Sequence, residues 1–313
     1  MTFTGIPDSV LAHRDWRAQD ARRRAHRIVR LAVVIAAACA VVLCAATACK
    51  PVYVTQPPPP DADVATPVTP AECVWTPSGR AASLAVSSRV TAGEASPDGA
   101  YPWACAVTTA SGRQYCGASL IAPAIALTAA HCQVVPGDLV RCGCNDLRSD
   151  VGVRVSVREA RNHPSWGTTT GGNDVAVLVL GAPVSGVEPV ALVARTPEYP
   201  IALVAIGWGA TVAGGPTVPV QQHVVVPLVP WGTCAQEYYG TALRSDMLCA
   251  GDPLRGTDTC QGDSGGPYVV GSDEGWRLAG VTSWGAECGT APGVATNVAA
   301  HLEWIAACAG VTP

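Results

Sequence analysis

The chain has 313 residues, about half of them apolar (49%) and few charged (14%), with a formal net charge of -4. Seven Arg against three Asp give residues 1–30 a local balance of +4, which leaves -8 for residues 31–313. So acidic a body lacks the basic footprint of a nucleic-acid binder, and its fourteen cysteines exclude an ordinary reduced cytosolic protein.

Residues 1–30 form a basic tail, with Arg22, Arg23, Arg24, Arg27 and Arg30 crowded at its end. Residues 31–49, LAVVIAAACAVVLCAATAC, follow without a charge. That length spans a bilayer as a helix, and the preceding arginines predict a cytoplasmic tail and an exported remainder. The run is expected to be an uncleaved signal-anchor, with the membrane as a partner through residues 31–49 and the remainder extracellular. Two alternatives stay open: a signal peptide cleaved after the small residues that end the run, leaving a secreted domain, and a lipid anchor at Cys49 in the lipobox-like Ala46-Thr47-Ala48-Cys49. Residues 50–72 are rich in Pro, Thr and Ala; the Pro57–Pro60 run favours extended polyproline structure and a semi-rigid linker.

Residues 90–313 alternate short apolar runs with Gly, Pro, Asn and Asp. Runs at Cys116–Leu127, Val151–Val157, Val175–Leu180, Ala202–Trp208, Val224–Leu228 and Gly280–Trp284 predict an all-β barrel or sandwich. Only residues 301–309, HLEWIAACA, read as a helix, with Leu302, Ile305 and Ala306 on one side.

The strongest chemical signal is Cys260-Gln261-Gly262-Asp263-Ser264-Gly265-Gly266-Pro267. A serine hydroxyl becomes a nucleophile when a base takes its proton and donors stabilise the oxyanion. The glycines permit a tight turn that aims the amides of Gly262 and Ser264 at one point. This segment resembles the active-site serine motif of the chymotrypsin/trypsin class of serine proteases. The resemblance implies a histidine and an aspartate segment upstream, in that order. Leu127-Thr128-Ala129-Ala130-His131-Cys132 matches the first, and Asn173-Asp174-Val175-Ala176-Val177-Leu178, preceded by Asn162-His163-Pro164, matches the second.

The resemblance covers residues 89–313 and implies two packed antiparallel six-stranded β-barrels, about 90–195 and 196–313, with a short C-terminal helix. It implies a triad of Ser264 as nucleophile, His131 as general base and Asp174 behind it, with Ser283 beside Asp174. Asp258 falls where trypsin-like members keep a carboxylate at the floor of the substrate pocket, and Gly285 and Gly293 match the glycines that keep that pocket open. A buried anion there selects Arg or Lys. The implied partners are protein or peptide substrates with Arg or Lys, and protein protease inhibitors. Ser88-Arg89-Val90-Thr91-Ala92-Gly93 resembles the family's activation junction, with Thr91-Ala92 departing from the commoner Val-Gly. Residues 73–89 are then a pro-segment, and a cut after Arg89 frees the Val90 amine to pair with Asp263.

By the same resemblance, Cys116–Cys132, Cys234–Cys249 and Cys260–Cys288 are bridges. Cys105 is expected to bond Cys142 or Cys144, and Cys73–Cys308 would keep the pro-segment attached; one thiol is left over. A calcium loop occurs in some relatives, but the matching stretch, Asn145–Glu159, is short of glutamates, and neither metal nor cofactor is expected. Two other readings were weighed. A catalytically silent homologue serving as an extracellular binding module normally lacks a triad residue, and an esterase carries a Gly-x-Ser-x-Gly elbow in an α/β pattern, absent here.

Overall fold

The structure is a computed structural model that describes residues 89–91, 93–238 and 243–310. The expected tail, membrane segment 31–49, linker 50–72, and all of the pro-segment but Arg89 lie outside the described residues. Among the described residues no helix is long and apolar enough to cross a membrane.

Two short strands, β1 (Arg89–Thr91) and β2 (Glu94–Ala95), open the fold. Next come β3 (Ala104–Thr108), β4 (Gln114–Ala122), β5 (Ile125–Thr128), β6 (Leu139–Cys142), β7 (Val153–Asn162) and β8 (Ala176–Leu180). They close a barrel in the order β3-β4-β5-β8-β7-β6, with β6 returning to β3. The sequence dictates which face turns inward: along β7, Val155 and Val157 are buried while Arg154, Ser156 and Arg158 are exposed, the two-residue period of a strand with one wet face. The predicted run Cys116–Leu127 is a hairpin rather than one strand, turning at Pro123-Ala124, with Leu120 opposite Ala126.

The second half contains β9 (Ala191–Leu192), β10 (Ala202–Gly207), β11 (Gln222–Pro227), β12 (Met247–Ala250), β13 (Asp258–Cys260), β14 (Pro267–Ser272), β15 (Gly275–Trp284) and β16 (Gly293–Asn297). It departs from the expected second six-stranded barrel. An eight-stranded sheet runs β12-β16-β15-β14-β10-β11-β2, with β9 alongside β15, and does not close. β11 and β12 approach at the isolated bridge Leu228↔Ala250, where the Val229 amide donates to the Cys249 carbonyl and the Gly251 amide to the Pro227 carbonyl. Pro227 and Pro230 flank that point without an amide to donate, so no ladder can extend. β13 stands apart, paired antiparallel with β1. A short helix α1 (Trp231–Glu237) precedes β12. Helix α2 (Leu302–Ala309) ends the domain, burying Trp304, Ile305 and Cys308 and terminated by Gly310 at φ 68°, the left-handed cap glycine adopts without strain. Leu127 and Leu178 of the barrel share one apolar cluster with Leu203, Ile206 and Leu278 of the open sheet, so the two halves are packed as one body.

Among the described residues, bridges join Cys105–Cys142, Cys116–Cys132 and Cys234–Cys249. Cys308 is also bonded, and its partner, like the expected Cys73, lies outside the described residues. Cys144 is a buried free thiol. The two buried sulfurs of the expected Cys260–Cys288 bridge face each other at 3.7 Å. Each is held on tied backbone, Cys260 by its amide bond to Asp263 and Cys288 inside the Glu287–Thr290 turn.

In the stretch where some relatives hold calcium, a guanidinium gathers the loop. Arg141 is 4% exposed and donates to the carbonyls of Leu147 (2.8 Å), Ser149 (2.5 Å) and Val151 (2.6 Å). Arg141→Ala would leave those carbonyls without their charged donor and is expected to lower stability by about 2–4 kcal/mol. EDTA is expected to leave the wild-type unfolding midpoint unchanged; thermal unfolding followed by circular dichroism measures both.

Candidate active site

His131 sits on a single 3-10 turn, Ala130–Cys132, immediately after β5. The Cys116–Cys132 bond ties that turn to β4, so the imidazole has little freedom to swing. Asp174, 1% exposed, lies two residues before β8 and grips His131 at two points. Its Oδ1 accepts the His131 main-chain amide at 2.8 Å and its Oδ2 lies 2.7 Å from Nδ1. A carboxylate can only accept, so the second bond fixes the proton on Nδ1 and leaves Nε2 with a lone pair. Burial lowers the His131 pKa, but the Asp174 charge and hydrogen bond outweigh it and raise it above the ordinary 6.5. Ser283 donates its hydroxyl to the same Asp174 Oδ2. Thr296 of β16, which sequence reasoning missed, donates to the Asp174 carbonyl at 2.8 Å.

Ser264 comes from the other half of the domain, on the turn between β13 and β14. Positive φ at Gly262 (97°) and Gly265 (78°) shapes that turn, a conformation that costs residues with a Cβ. The turn is pressed onto the barrel: Gly117 of β4 donates to the Ser264 carbonyl at 2.7 Å, and Cys132 Sγ lies 3.6 Å from the same oxygen. The residue after His131 therefore touches Ser264, and the structure brings the three predicted triad residues to one seam. A side chain at Gly117 would meet Gly266 Cα at 2.8 Å, which explains the glycine. Gln114, also unforeseen, anchors the turn by donating to the Gly262 carbonyl at 2.8 Å.

Asp258, at the start of β13, is 3% exposed. Burial pushes its pKa up to about 7, against the stabilising amides of Thr259, Gly289 and Gly293. Gly293 packs against it so closely that a Cβ would lie 2.4 Å from Asp258 Oδ1. Gly285 has no such crowding; a Cβ there would meet Gly293 Cα at 3.6 Å, so a side chain would fill space rather than clash. Tyr238, a residue without a sequence signal, links the two glycine segments: its hydroxyl donates to the Pro292 carbonyl and accepts the Ala286 amide at 3.2 Å.

Asp263, 1% exposed, accepts the amides of Gly209 and Cys260 at 2.8 Å each. The junction Arg89-Val90 lies on β1, where Arg89 is paired with Cys260 and Val90 with Thr259. The backbone of the expected junction thus runs beside the strand that leads to Asp263. The only group of His and Cys side chains close enough to suggest a metal among the described residues is Cys116, His131 and Cys132. Two of these are consumed in a disulfide, so this donor set does not fit an ion.

A closed barrel packed on an open one, with a buried Asp–His pair at the seam facing a glycine-rich serine turn, defines the chymotrypsin-like class of serine protease. The family model for Trypsin matches residues 90–305. The chain is 39% identical over 210 residues to a trypsin of Saccharopolyspora erythraea, a match covering 65% of this chain and 90% of that protein. It is 39% identical over 232 residues to serine protease 56 of Homo sapiens, covering 69% of this chain and 38% of that one. It is 38% identical over 229 residues to transmembrane protease serine 9 of Rattus norvegicus, covering 70% and 22%. The chain belongs to the trypsin family and is a serine endopeptidase.

Proposed function

We propose that the chain is an exported endopeptidase that cuts after Arg or Lys through Ser264, His131 and Asp174. The observation that carries this reading is the two-point grip of Asp174 on His131 beside the Ser264 turn. Ser264 Oγ forms a bond to the scissile carbonyl carbon as His131 Nε2 takes its proton. The amides of Gly262 and Ser264 receive the oxyanion. The C–N bond then breaks, the amine leaves with the proton held by His131, and water repeats the sequence to release the acid and restore Ser264. Asp258 is the pocket floor for the cationic side chain, with Ser283, Gly285 and Gly293 along the walls.

The chain is made as a precursor. A cut between Arg89 and Val90 frees an ammonium that pairs with Asp263, and the β1–β13 pairing supports this, because Val90 already lies beside Thr259. Residues 31–49 hold the domain at the outer face of a membrane; a rat relative is named a transmembrane protease. Protein protease inhibitors are partners of the same cleft.

The test uses the full chain, purified oxidised, with peptide substrates carrying Arg, Lys or Phe before the cut and N-terminal sequencing of the product. The expected result is a new terminus at Val90 together with Arg and Lys cleavage that Ser264→Ala abolishes. A Val90-terminated form without any cleavage would overturn the reading; a preference for Phe would overturn the pocket assignment alone.

A further inference from the structure

The loop that delivers Asp174 is tied to its own barrel at Asp174 and Val175, but the turn just before them is held from elsewhere. It runs through Gly172 at φ 85° and Asn173 at φ 56°, and asparagine is one of the few side chains that enter this left-handed region at modest cost. What stabilises the turn comes from the other half of the domain. Asp246, just before β12, accepts the Asn173 amide on Oδ2 at 2.5 Å. Its carboxylate lies so close to Gly172 that a Cβ there would meet Asp246 Oδ2 at 2.8 Å and the Arg244 side chain at 2.6 Å.

Asp246 is itself held from behind. His301, 5% exposed, directs a buried Nε2 without a hydrogen-bond partner toward Asp246 Oδ2 at 3.6 Å. On the other side Arg244 Nε lies 3.7 Å from Asp246 Oδ1. His163 packs edge-on to His301 at 5.1 Å and its amide donates to the Val175 carbonyl at 3.0 Å. Asn297 donates its amide to the Asp246 carbonyl at 2.8 Å, next to Thr296, which grips the Asp174 carbonyl. The end of β16 therefore touches both aspartates.

We propose that Asp246, backed by His301, is a positioning residue that fixes the Gly172–Asp174 turn across the two halves of the domain and so sets the aim of Asp174 on His131. Neither residue reaches the reacting atoms; their effect passes through the Asn173 amide. A cross-domain tie is needed at this point because the triad is divided: His131 and Asp174 stand on the barrel and Ser264 on the open sheet. Asp246–Asn173 is a polar link between those halves one residue from the triad. The groups facing Asp246 are Arg244, His301 and, behind it, His163; each is cationic or neutral, so the carboxylate is favoured as the anion that accepts.

The inference rests on the triad reading above and is tested with three variants of the full, activated chain. Asp246→Ala is expected to lower kcat by about 10- to 100-fold, the cost of misplacing a catalytic group by about 1 Å, with KM for an Arg substrate within about twofold because Asp258 is untouched. The acid limb of kcat is expected to move to lower pH, since a loosened Asp174 raises the His131 pKa less. Asp246→Asn keeps an oxygen for the Asn173 amide and should restore most of kcat. His301→Phe, which keeps bulk but removes Nε2, should shift the acid limb in the same direction by less. A folded Asp246→Ala enzyme with wild-type kcat and acid limb would overturn the inference. If Asp246→Ala does not fold, His301→Phe decides: a wild-type pH profile overturns it and a shifted one supports it. Failure of the triad reading looks different, since it would appear as an Asp246-independent enzyme still active after Ser264→Ala.

Discussion

Asp174→Asn is expected to lower kcat by about four orders of magnitude while leaving KM for an Arg substrate nearly unchanged; the size is the family's own and is carried over, and the direction follows from the geometry. Asp174 is bonded to His131 at two points and receives Ser283 on Oδ2. An amide in its place can accept at one atom only. Its nitrogen, if turned toward Nδ1, would force the imidazole proton onto Nε2 and leave no lone pair for Ser264. The pH profile separates this from simple unfolding. In the wild type, burial lowers the His131 pKa and Asp174 more than restores it; without the carboxylate only burial is left. A base must be neutral to act, so the acid limb of kcat should move to lower pH in the variant even as its plateau falls. The limb is read on kcat rather than kcat/KM because, under the proposed pocket assignment, Asp258 is free to titrate in the free enzyme and paired in the substrate complex. A variant within tenfold of wild type and with the same limb would remove Asp174 from the mechanism.

The candidate triad could be proposed from the sequence because each of its members sits in a contiguous string whose neighbours have their own physical reasons. Gly265 must turn with positive φ, Cys132 must reach Cys116, and Ala130 is fully buried behind the histidine. Residues that act only through space left no such string. Asp246 reads as an ordinary turn carboxylate before a strand, and Thr296 as a strand threonine. Their partners, Asn173 and Asp174, are 73 and 122 residues away. Cysteine pairing shows the same limit. Cys142 and Cys144 are two residues apart, a spacing that points both side chains the same way from extended backbone, so the partner of Cys105 could not be settled before the structure placed it on Cys142. Strand closure was also out of reach. Alternation reports which face is buried, and β11 carries the same alternation whether or not it meets β12; the prolines that stop the ladder act on backbone amides, which the apolar pattern does not register.

Asp258→Asn is expected to trade specificity for stability. On Arg and Lys substrates kcat/KM should fall by about two to four orders of magnitude, the cost of leaving a buried cation without its anion. Phe substrates should change little, because the pocket keeps its size. The stability effect has the opposite sign. Burial raises the Asp258 pKa to about 7, whereas in the unfolded chain it should sit near its ordinary value of about 3.9. The folded protein thus holds this proton more tightly than the unfolded one between about pH 4 and pH 7. Whatever Asp258 contributes to stability is fully present below about pH 4, declines across that window, and is lost above about pH 7, where folding must bury an anion. The Asn variant has no such charge. It should match the wild type at about pH 4 and exceed it at pH 8, by about 4 kcal/mol if the whole shift is expressed. Unfolding midpoints of the two proteins across that range, in the absence of substrate, measure the difference. An Arg-containing inhibitor should raise the wild-type midpoint at pH 8 far more than that of the variant, since it supplies the charge that the pocket lacks. Equal midpoints at every pH would mean that the carboxylate is solvated in the free enzyme, and undiminished Arg cleavage by the variant would place the pocket floor elsewhere. A loss of Arg cleavage with a gain of alkaline stability would instead identify Asp258 as a group whose unfavourable burial is maintained for the ligand it awaits.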